Sequence, residues 1–118
     1  MKIYVGHSTK FDYKNELYLP LSHSALQQHQ FIFPHENSEL LFNSKEELKN
    51  VDLMLAEVSY PALGLGIEIG WATAYDVPVI AIYKSGLKLS GSVKSLAQDI
   101  VEYQSLEDLV NKLSILLK

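Results

Sequence analysis

One carboxylate in this sequence stands out because no other charged side chain accompanies it. Glu68 lies within residues 66–72, where every neighbour is uncharged. Gly64 and Gly66 precede it and predict a tight turn that a ligand can approach closely, with a helix beginning straight after it. Glu68 is therefore either a first-turn residue favoured by the helix dipole or a functional group presented to a pocket.

The glycines beside Glu68 do not have the spacing of a dinucleotide-binding loop. The spacing of Gly64, Gly66 and Gly70 is one residue longer than that of the pattern Gly-x-Gly-x-x-Gly. A plain Rossmann cofactor site is therefore not predicted.

Histidines are the other side chains that could do chemistry near neutral pH. The spacing of His7, His29, His35 and Glu36 matches no known metal-ligand pattern, so we predict no metal site. His35 follows a predicted strand, and we interpret it as a pocket residue that donates to a substrate or exchanges a proton with it.

The elements that must position these residues alternate between short apolar runs and helical patterns. Runs at residues 2–5, 31–33, 52–58, 77–83 and 99–103 predict five strands. Two of them are continuously apolar, which is typical of strands covered on both faces of a parallel sheet. Pairing each strand with a following helix predicts a single-domain α/β sandwich over residues 1–118, Rossmann-like and flavodoxin-like, with a five-stranded parallel sheet flanked by helices.

Helix starts are marked by a hydroxyl followed three residues later by an acid. This pattern predicts starts at Ser44 and Ser105, each with a capping serine. Pro20 should break an earlier helical region, so we expect a helix that begins close to that proline. Ligands bind at the carboxyl ends of parallel strands, so the loops after Val5 and Val58 are among those expected to form the site.

Composition limits the classes of function. The chain has 118 residues, no cysteine and a formal charge of −4, so thiol chemistry is excluded and general nucleic-acid binding is not expected. We find no apolar run of the length a membrane span needs and no signal-peptide pattern, and we therefore expect a cytoplasmic protein without membrane association.

Two segments together resemble a known family. Residues 51–59 and 61–72, with the opening residues 3–6, are similar to the core motif and first strand of the nucleoside 2-deoxyribosyltransferase superfamily. The likeness is closest to its small branch, the 2′-deoxynucleoside 5′-phosphate N-hydrolases. The whole chain would then be one domain of this type.

The resemblance implies a reaction in two steps. The glutamate in the position of Glu68 attacks the anomeric carbon of a (deoxy)nucleoside or its 5′-monophosphate and expels the base. Water or a second base then resolves the glycosyl ester, as in retaining glycosidases. The resemblance implies no cofactor and a homodimer with composite active sites.

Other site residues follow from the same resemblance. Tyr4 matches a tyrosine that hydrogen-bonds the nucleophile, although it can equally be a core aromatic. Gly6, His7 and Ser8 match a loop that contacts the sugar or its 5′ substituent. Gly64 and Gly66 belong to the substrate-binding turn.

Two further residues have alternative interpretations. Glu57, at the end of a strand, either orients the base or a proton or caps a backbone group. Ser90 either reaches the pocket of a second subunit or is an ordinary solvated loop residue.

Two departures from the family pattern define a second hypothesis. Ser44 replaces an aspartate that assists proton transfer, and its capping role is sufficient explanation for a serine there. Ala62 stands where the hydrolases have a phosphate-binding serine and the transferases an aspartate. The alternative to an enzyme is therefore a weakly active or inactive nucleotide-binding or sensory module that uses the same pocket.

Overall fold

The computed structural model describes residues 1–36 and 43–118. One sheet of five parallel strands, in the order β2-β1-β3-β4-β5, forms the centre of the molecule. The strands are β1 (Lys2–His7), β2 (Gln30–Ile32), β3 (Leu53–Glu57), β4 (Val79–Lys84) and β5 (Asp99–Tyr103). The predicted flavodoxin-like sandwich is confirmed, and each predicted strand is found within a few residues of its expected limits.

Helices cover both faces of this sheet. They are α1 (Leu19–Leu21), α2 (Ser44–Leu48), α3 (Leu63–Ala74), α4 (Gly91–Leu96) and α5 (Leu106–Leu116). A π-helical turn, Lys14–Tyr18, runs directly into α1, and a 3₁₀ turn, Ser24–Leu26, follows it. Within the two described ranges, every helix is too short or too polar to cross a lipid bilayer.

The alternation of side chains along β1 divides the core into two. Ile3 and Val5 point to the face covered by α1 and α5, whereas Tyr4 points to the face covered by α3. All three are completely buried. Because successive strand residues face opposite sides, the end of each central strand presents one side chain to each layer.

Two of the helix starts predicted from the sequence are found in the structure. At α5, Ser105 is the N-cap, and its Oγ accepts the backbone N–H of Asp108 at 3.0 Å, as expected. Helix α1 begins at Leu19, directly before Pro20, so the expected helix start close to this proline is found, although α1 continues from the preceding π-turn without a break. Proline is tolerated there because a first-turn position of α1 needs no N–H donor.

Candidate active site

A cleft of about 470 Å³ opens at the carboxyl ends of the central strands. In the sheet, β1 has β2 on one side and β3 on the other, so the strand order reverses at β1. The cleft lies at this reversal, which is the usual position of a ligand in such sheets. Its described lining residues are His7, Ser8, Thr9, His35, Ser44, Ala62, Gly64, Leu65, Ile67, Glu68 and Trp71.

Glu68 enters this cleft from α3. It shares a helix face with Leu65, Ile69 and Ala72, which are buried against the sheet. The expectation of a first-turn position was wrong, because α3 begins at Leu63 and places Glu68 in its second turn. The helix dipole acts mainly on the first turn, so it does not account for this carboxylate.

The glycines of this region also differ from the expected turn. Gly64 and Gly66 lie inside α3 rather than before it, since packing of α3 on the sheet outweighs the low helix propensity of glycine. Gly64 lines the cleft of Glu68, whereas Gly66 faces a neighbouring cleft.

Gly6 is the glycine on which the approach of α3 depends. A Cβ at this position would lie 2.5 Å from Cε of Met54, 3.2 Å from Cδ1 of Leu65 and 3.5 Å from Oε1 of Glu68. A larger residue would therefore crowd the side chains of Met54 and Leu65 and bring its Cβ into contact with the Glu68 carboxylate.

Two hydroxyl groups hold the Glu68 carboxylate. Tyr4, which is completely buried, donates its O–H to Oε2 of Glu68 at 2.5 Å. The Tyr4 oxygen also lies 2.8 Å from Oγ of Ser44, and the Ser44 hydroxyl hydrogen-bonds the same carboxylate. The three side chains come from β1, α2 and α3 and form one network.

The capping role predicted for Ser44 was wrong. Helix α2 does begin at Ser44, but Asn43 occupies the N-cap position. The Ser44 side chain instead turns inward to Tyr4, because its place at the end of the cleft brings it against β1. Ser44 therefore lines the candidate site, although its local sequence pattern is that of a helix cap.

Burial and hydrogen bonding act in opposite directions on Glu68. Burial raises the pKa of the Glu68 carboxyl above its ordinary value, while hydrogen bonds from Ser44 and Tyr4 and the nearby His35 oppose that rise. Burial and the adjacent carboxylate raise the pKa of the Tyr4 phenol, so Tyr4 remains a neutral donor at pH 7. The Ser44 and Tyr4 hydrogen bonds therefore favour the ionised carboxylate, whereas its burial disfavours it.

His7 and Tyr18 form a second network at the cleft. Nδ1 of His7 lies 2.7 Å from the carbonyl oxygen of Ser8 and must donate to it, so Nε2 accepts the Tyr18 O–H at 2.6 Å. The Tyr18 oxygen also accepts the backbone N–H of His35 at 3.0 Å. Tyr18 therefore connects β1 with the loop that carries His35.

This environment keeps His7 neutral. Burial lowers the pKa of the His7 imidazole to about 4, although its hydrogen bond to the Ser8 carbonyl opposes the shift. His7 is packed against the rings of Phe11, Tyr13 and His35. His7 contributes shape and hydrogen bonding to the cleft at neutral pH, without a positive charge.

Glu57 lies on the other face of the sheet from Glu68. Its side chain is 1% exposed, accepts the Ser59 backbone N–H at 2.6 Å, and accepts the hydroxyl of Tyr103. Burial raises the pKa of the Glu57 carboxyl, and these two partners oppose the rise. Glu57 does not line the Glu68 cleft, and its contacts are those of a carboxylate that caps backbone.

Ser90 also lies outside the Glu68 cleft. It is the N-cap of α4, and its Oγ accepts the Ser92 N–H at 3.3 Å. Ser90 lines a neighbouring cleft of about 620 Å³, which shares Ala62 and Leu65 with the first one.

Sequence reasoning missed two residues of the site. Trp71 lines the cleft one helical turn after Glu68, and its i+3 spacing could have identified it. Tyr18 had no such signal, because only the folded chain brings it to His7. Within residues 1–36 and 43–118, no group of three His, Asp or Glu side chains is arranged to hold a metal ion.

Comparison with known proteins gives local sequence matches. The chain is 44% identical over 39 residues to the "Putative 2′-deoxynucleoside 5′-phosphate N-hydrolase 1" of Syntrophotalea carbinolica, covering 33% of this chain and 28% of that protein. It is 32% identical over 75 residues to the protein of the same name in Thermofilum pendens, covering 59% and 52%. The 5-hydroxymethyl-dUMP N-hydrolase of Homo sapiens is 35% identical over 54 residues, covering 44% and 31%.

The predicted resemblance is confirmed. The matched segments nevertheless span only 28% to 52% of the length of these relatives. No protein-family model matches the chain.

Solved structures extend the likeness over nearly the whole chain. The CMP N-glycosidase BcmB of Clostridium botulinum superposes with a TM-score of 0.75 at 16% identity, covering 98% of this chain and 99% of that one. A 2-deoxyribosyltransferase of Bacillus psychrosaccharolyticus gives a TM-score of 0.64 at 20% identity, covering 94% and 91%. At these identities the structures show a shared fold.

Proposed function

We propose that this chain is an enzyme that cleaves the N-glycosidic bond of a (deoxy)nucleoside or nucleoside 5′-monophosphate through a covalent glycosyl ester on Glu68. The observation that carries the proposal is a carboxylate in an open cleft, held by the hydroxyls of Tyr4 and Ser44. The names of the N-hydrolase relatives, the N-glycosidase and the deoxyribosyltransferase support the same bond as the target.

In the first step, a carboxylate oxygen of Glu68 attacks the anomeric carbon. A carbon–oxygen bond forms while the carbon–nitrogen bond breaks, and the base leaves with the electron pair of that bond. His35, on the loop held by Tyr18, lines the same cleft and can supply the proton that the leaving base takes up. The negative charge of Glu68 stabilises the oxocarbenium-like transition state.

In the second step, water or a second base attacks the same carbon from the side that the first base vacated. The ester bond breaks, the carboxylate returns to Glu68, and the proton of the incoming nucleophile passes to His35, which gave up a proton in the first step. Tyr4 and Ser44 donate hydrogen bonds to the free carboxylate. They therefore favour its release as the leaving group in this step. Neither step requires a cofactor.

We also propose that residues 1–118 form one catalytic domain and that the protein acts in the cytoplasm. Two copies would form a homodimer with composite active sites. The outward side of α3 carries Leu63, which is 83% exposed, and Ile67, which is 45% exposed, directly beside the cleft. A second copy covering these side chains would bury apolar surface and close the cleft on one side. Sedimentation of the purified chain tests this: a dimer is expected, and a monomer would contradict it.

The reaction is tested with a panel of nucleosides and nucleotides, in which free base is followed by chromatography. A 2-fluoro sugar analogue should leave an adduct on Glu68, detected by peptide mass spectrometry. Base release without any adduct would contradict the covalent step. If ligands bind but no base is released, the chain is the binding or sensory module of the second hypothesis.

A further inference from the structure

We infer that the Glu68 cleft selects a neutral nucleoside over its 5′-monophosphate. The inference deepens the proposed function and depends on it. It rests on the juxtaposition of the Glu68 carboxylate with the loop after β1, whose polar side chains His7 and Ser8 are neutral and already hydrogen-bonded within the protein.

The charge of the cleft is the first observation. Among the residues that the structure describes, its lining includes the carboxylate of Glu68, two histidines, and neither lysine nor arginine. Apart from these histidines, the charge of the described lining is therefore that of the Glu68 carboxylate.

The second observation concerns the loop after β1, which lines the cleft. Oγ of Ser8 accepts the backbone N–H of Lys10 at 3.1 Å, and the Ser8 carbonyl accepts Nδ1–H of His7. His7 is neutral in this arrangement, and its Nε2 accepts the Tyr18 O–H. This wall offers hydroxyl groups and acceptors, which suit a sugar hydroxyl better than a phosphate dianion.

Geometry prevents a phosphate from avoiding Glu68. The anomeric carbon must contact the carboxylate, and the 5′ position of the same sugar is only a few bonds away. A 5′-phosphate would therefore stay within the Debye length of about 8 Å at physiological ionic strength, where like charges repel with little screening. Burial of the carboxylate strengthens that repulsion.

A competing arrangement uses the neighbouring cleft. Lys88 lines that cleft, which meets the Glu68 cleft at Ala62 and Leu65. A nucleotide could place its phosphate near Lys88 only by reaching past these two side chains. This arrangement predicts a preference for nucleotides that depends on Lys88.

The experiment measures kcat/KM for matched pairs, each a 2′-deoxynucleoside and its 5′-monophosphate with the same base, at low and at high salt. We expect the nucleoside to be favoured at least about tenfold at low salt, with a smaller ratio at high salt because ions screen the repulsion. A faster reaction with the nucleotide would overturn this inference and leave the proposed function standing. If that preference also disappears in Lys88→Ala, the phosphate lies in the neighbouring cleft.

Failure of the proposed function gives a different result. If neither member of any pair releases base, the same pairs are titrated by calorimetry. Tighter binding of the nucleoside would still support a cleft for neutral ligands, whereas tighter binding of the nucleotide would overturn it.

Thr9 allows a converse test because it is exposed and lines the cleft. Thr9→Arg places a cation at the rim, and Thr9→Gln is its uncharged control. The ratio of nucleotide to nucleoside kcat/KM should rise about tenfold in the arginine variant relative to the glutamine variant, which corresponds to about 1.4 kcal/mol. An unchanged ratio would contradict the electrostatic argument.

Discussion

Two glutamates lie at the same edge of the sheet, and each is held by a tyrosine and a serine. Glu57 takes the Tyr103 hydroxyl and the Ser59 backbone N–H, while Glu68 takes the hydroxyls of Tyr4 and Ser44. Burial raises the pKa of both carboxyls. By composition, the two clusters are nearly the same.

The difference between them is access. Glu57 is almost completely buried, and it accepts hydrogen bonds from the backbone of Ser59 and the hydroxyl of Tyr103. Glu68 is half-buried and opens on a cleft of about 470 Å³. A hydrogen-bonded buried carboxylate is therefore not by itself a sign of catalysis; an adjoining space for a substrate is also required.

The largest expected effect comes from making the same substitution at both positions. Glu68→Gln removes the proposed nucleophile, so kcat for base release should fall at least about a thousandfold. Glu57→Gln should retain activity per folded molecule to within a small factor. Circular dichroism, which gives the folded fraction of each variant, followed by kinetics of base release, measures both; equal losses in the two variants would remove the distinction.

The second effect is on stability, and here we expect Glu57→Gln to lose more than Glu68→Gln. Glu57→Gln turns an amide donor toward the donors of Tyr103 and Ser59, and unsatisfied buried groups should cost about 1–3 kcal/mol of the free energy of unfolding. Glu68→Gln borders a cleft and should cost less. Urea denaturation of both variants checks this, and a more stable Glu57→Gln protein would mean that the carboxylate is not structurally required.

The third effect is a shift in pH dependence. The Tyr4 hydrogen bond favours the ionised form of Glu68, so Tyr4→Phe should raise the pKa of that carboxyl further. Since activity requires the carboxylate, the acidic limb of the kcat/KM profile should move to higher pH by on the order of one unit.

Tyr103→Phe is the matched control, because it removes the corresponding hydroxyl from Glu57. The acidic limb should stay in place in this variant while stability decreases. A shift of the limb toward lower pH in Tyr4→Phe would show that Tyr4 does not support the ionised nucleophile.

The last comparison separates two serines that have the same local pattern. Ser44→Ala should move the acidic limb of the kcat/KM profile to higher pH by an amount comparable with that in Tyr4→Phe, since the Ser44 hydroxyl also lowers the Glu68 pKa. Ser105→Ala should cost about 1 kcal/mol of stability, as loss of an N-cap does, and leave the limb unchanged. Identical pH profiles for Ser44→Ala and the parent protein would show that the role of Ser44 is purely structural.

Much of the fold was predictable because it follows from local patterns. The five apolar runs fixed the number and approximate limits of the strands, and two continuously apolar runs indicated a parallel sheet covered on both faces. Gly64 and Gly66 misled the prediction of α3, because the packing of Leu65 and Ile69 against the sheet overrides glycine's poor helix propensity.

The partners of the site were harder to predict because they are distant in sequence. Tyr4 and Ser44 are 40 residues apart, and Tyr4 and Glu68 are 64 apart. Ser44 matched a capping pattern, and nothing in its neighbours indicated an inward-facing hydroxyl. Tyr18 reaches His7 only through the π-helical turn that the sequence analysis did not foresee.

The sequence by itself determined a parallel α/β sandwich and singled out Glu68 as a carboxylate without charged neighbours. Only the tertiary structure decided that Glu68, and not Glu57, faces open space. The physical reason is that strand and helix periods assign side chains to faces, whereas the cleft on one face arises from how separate elements pack. Local periodicity carries no information about that gap between β1, α2 and α3.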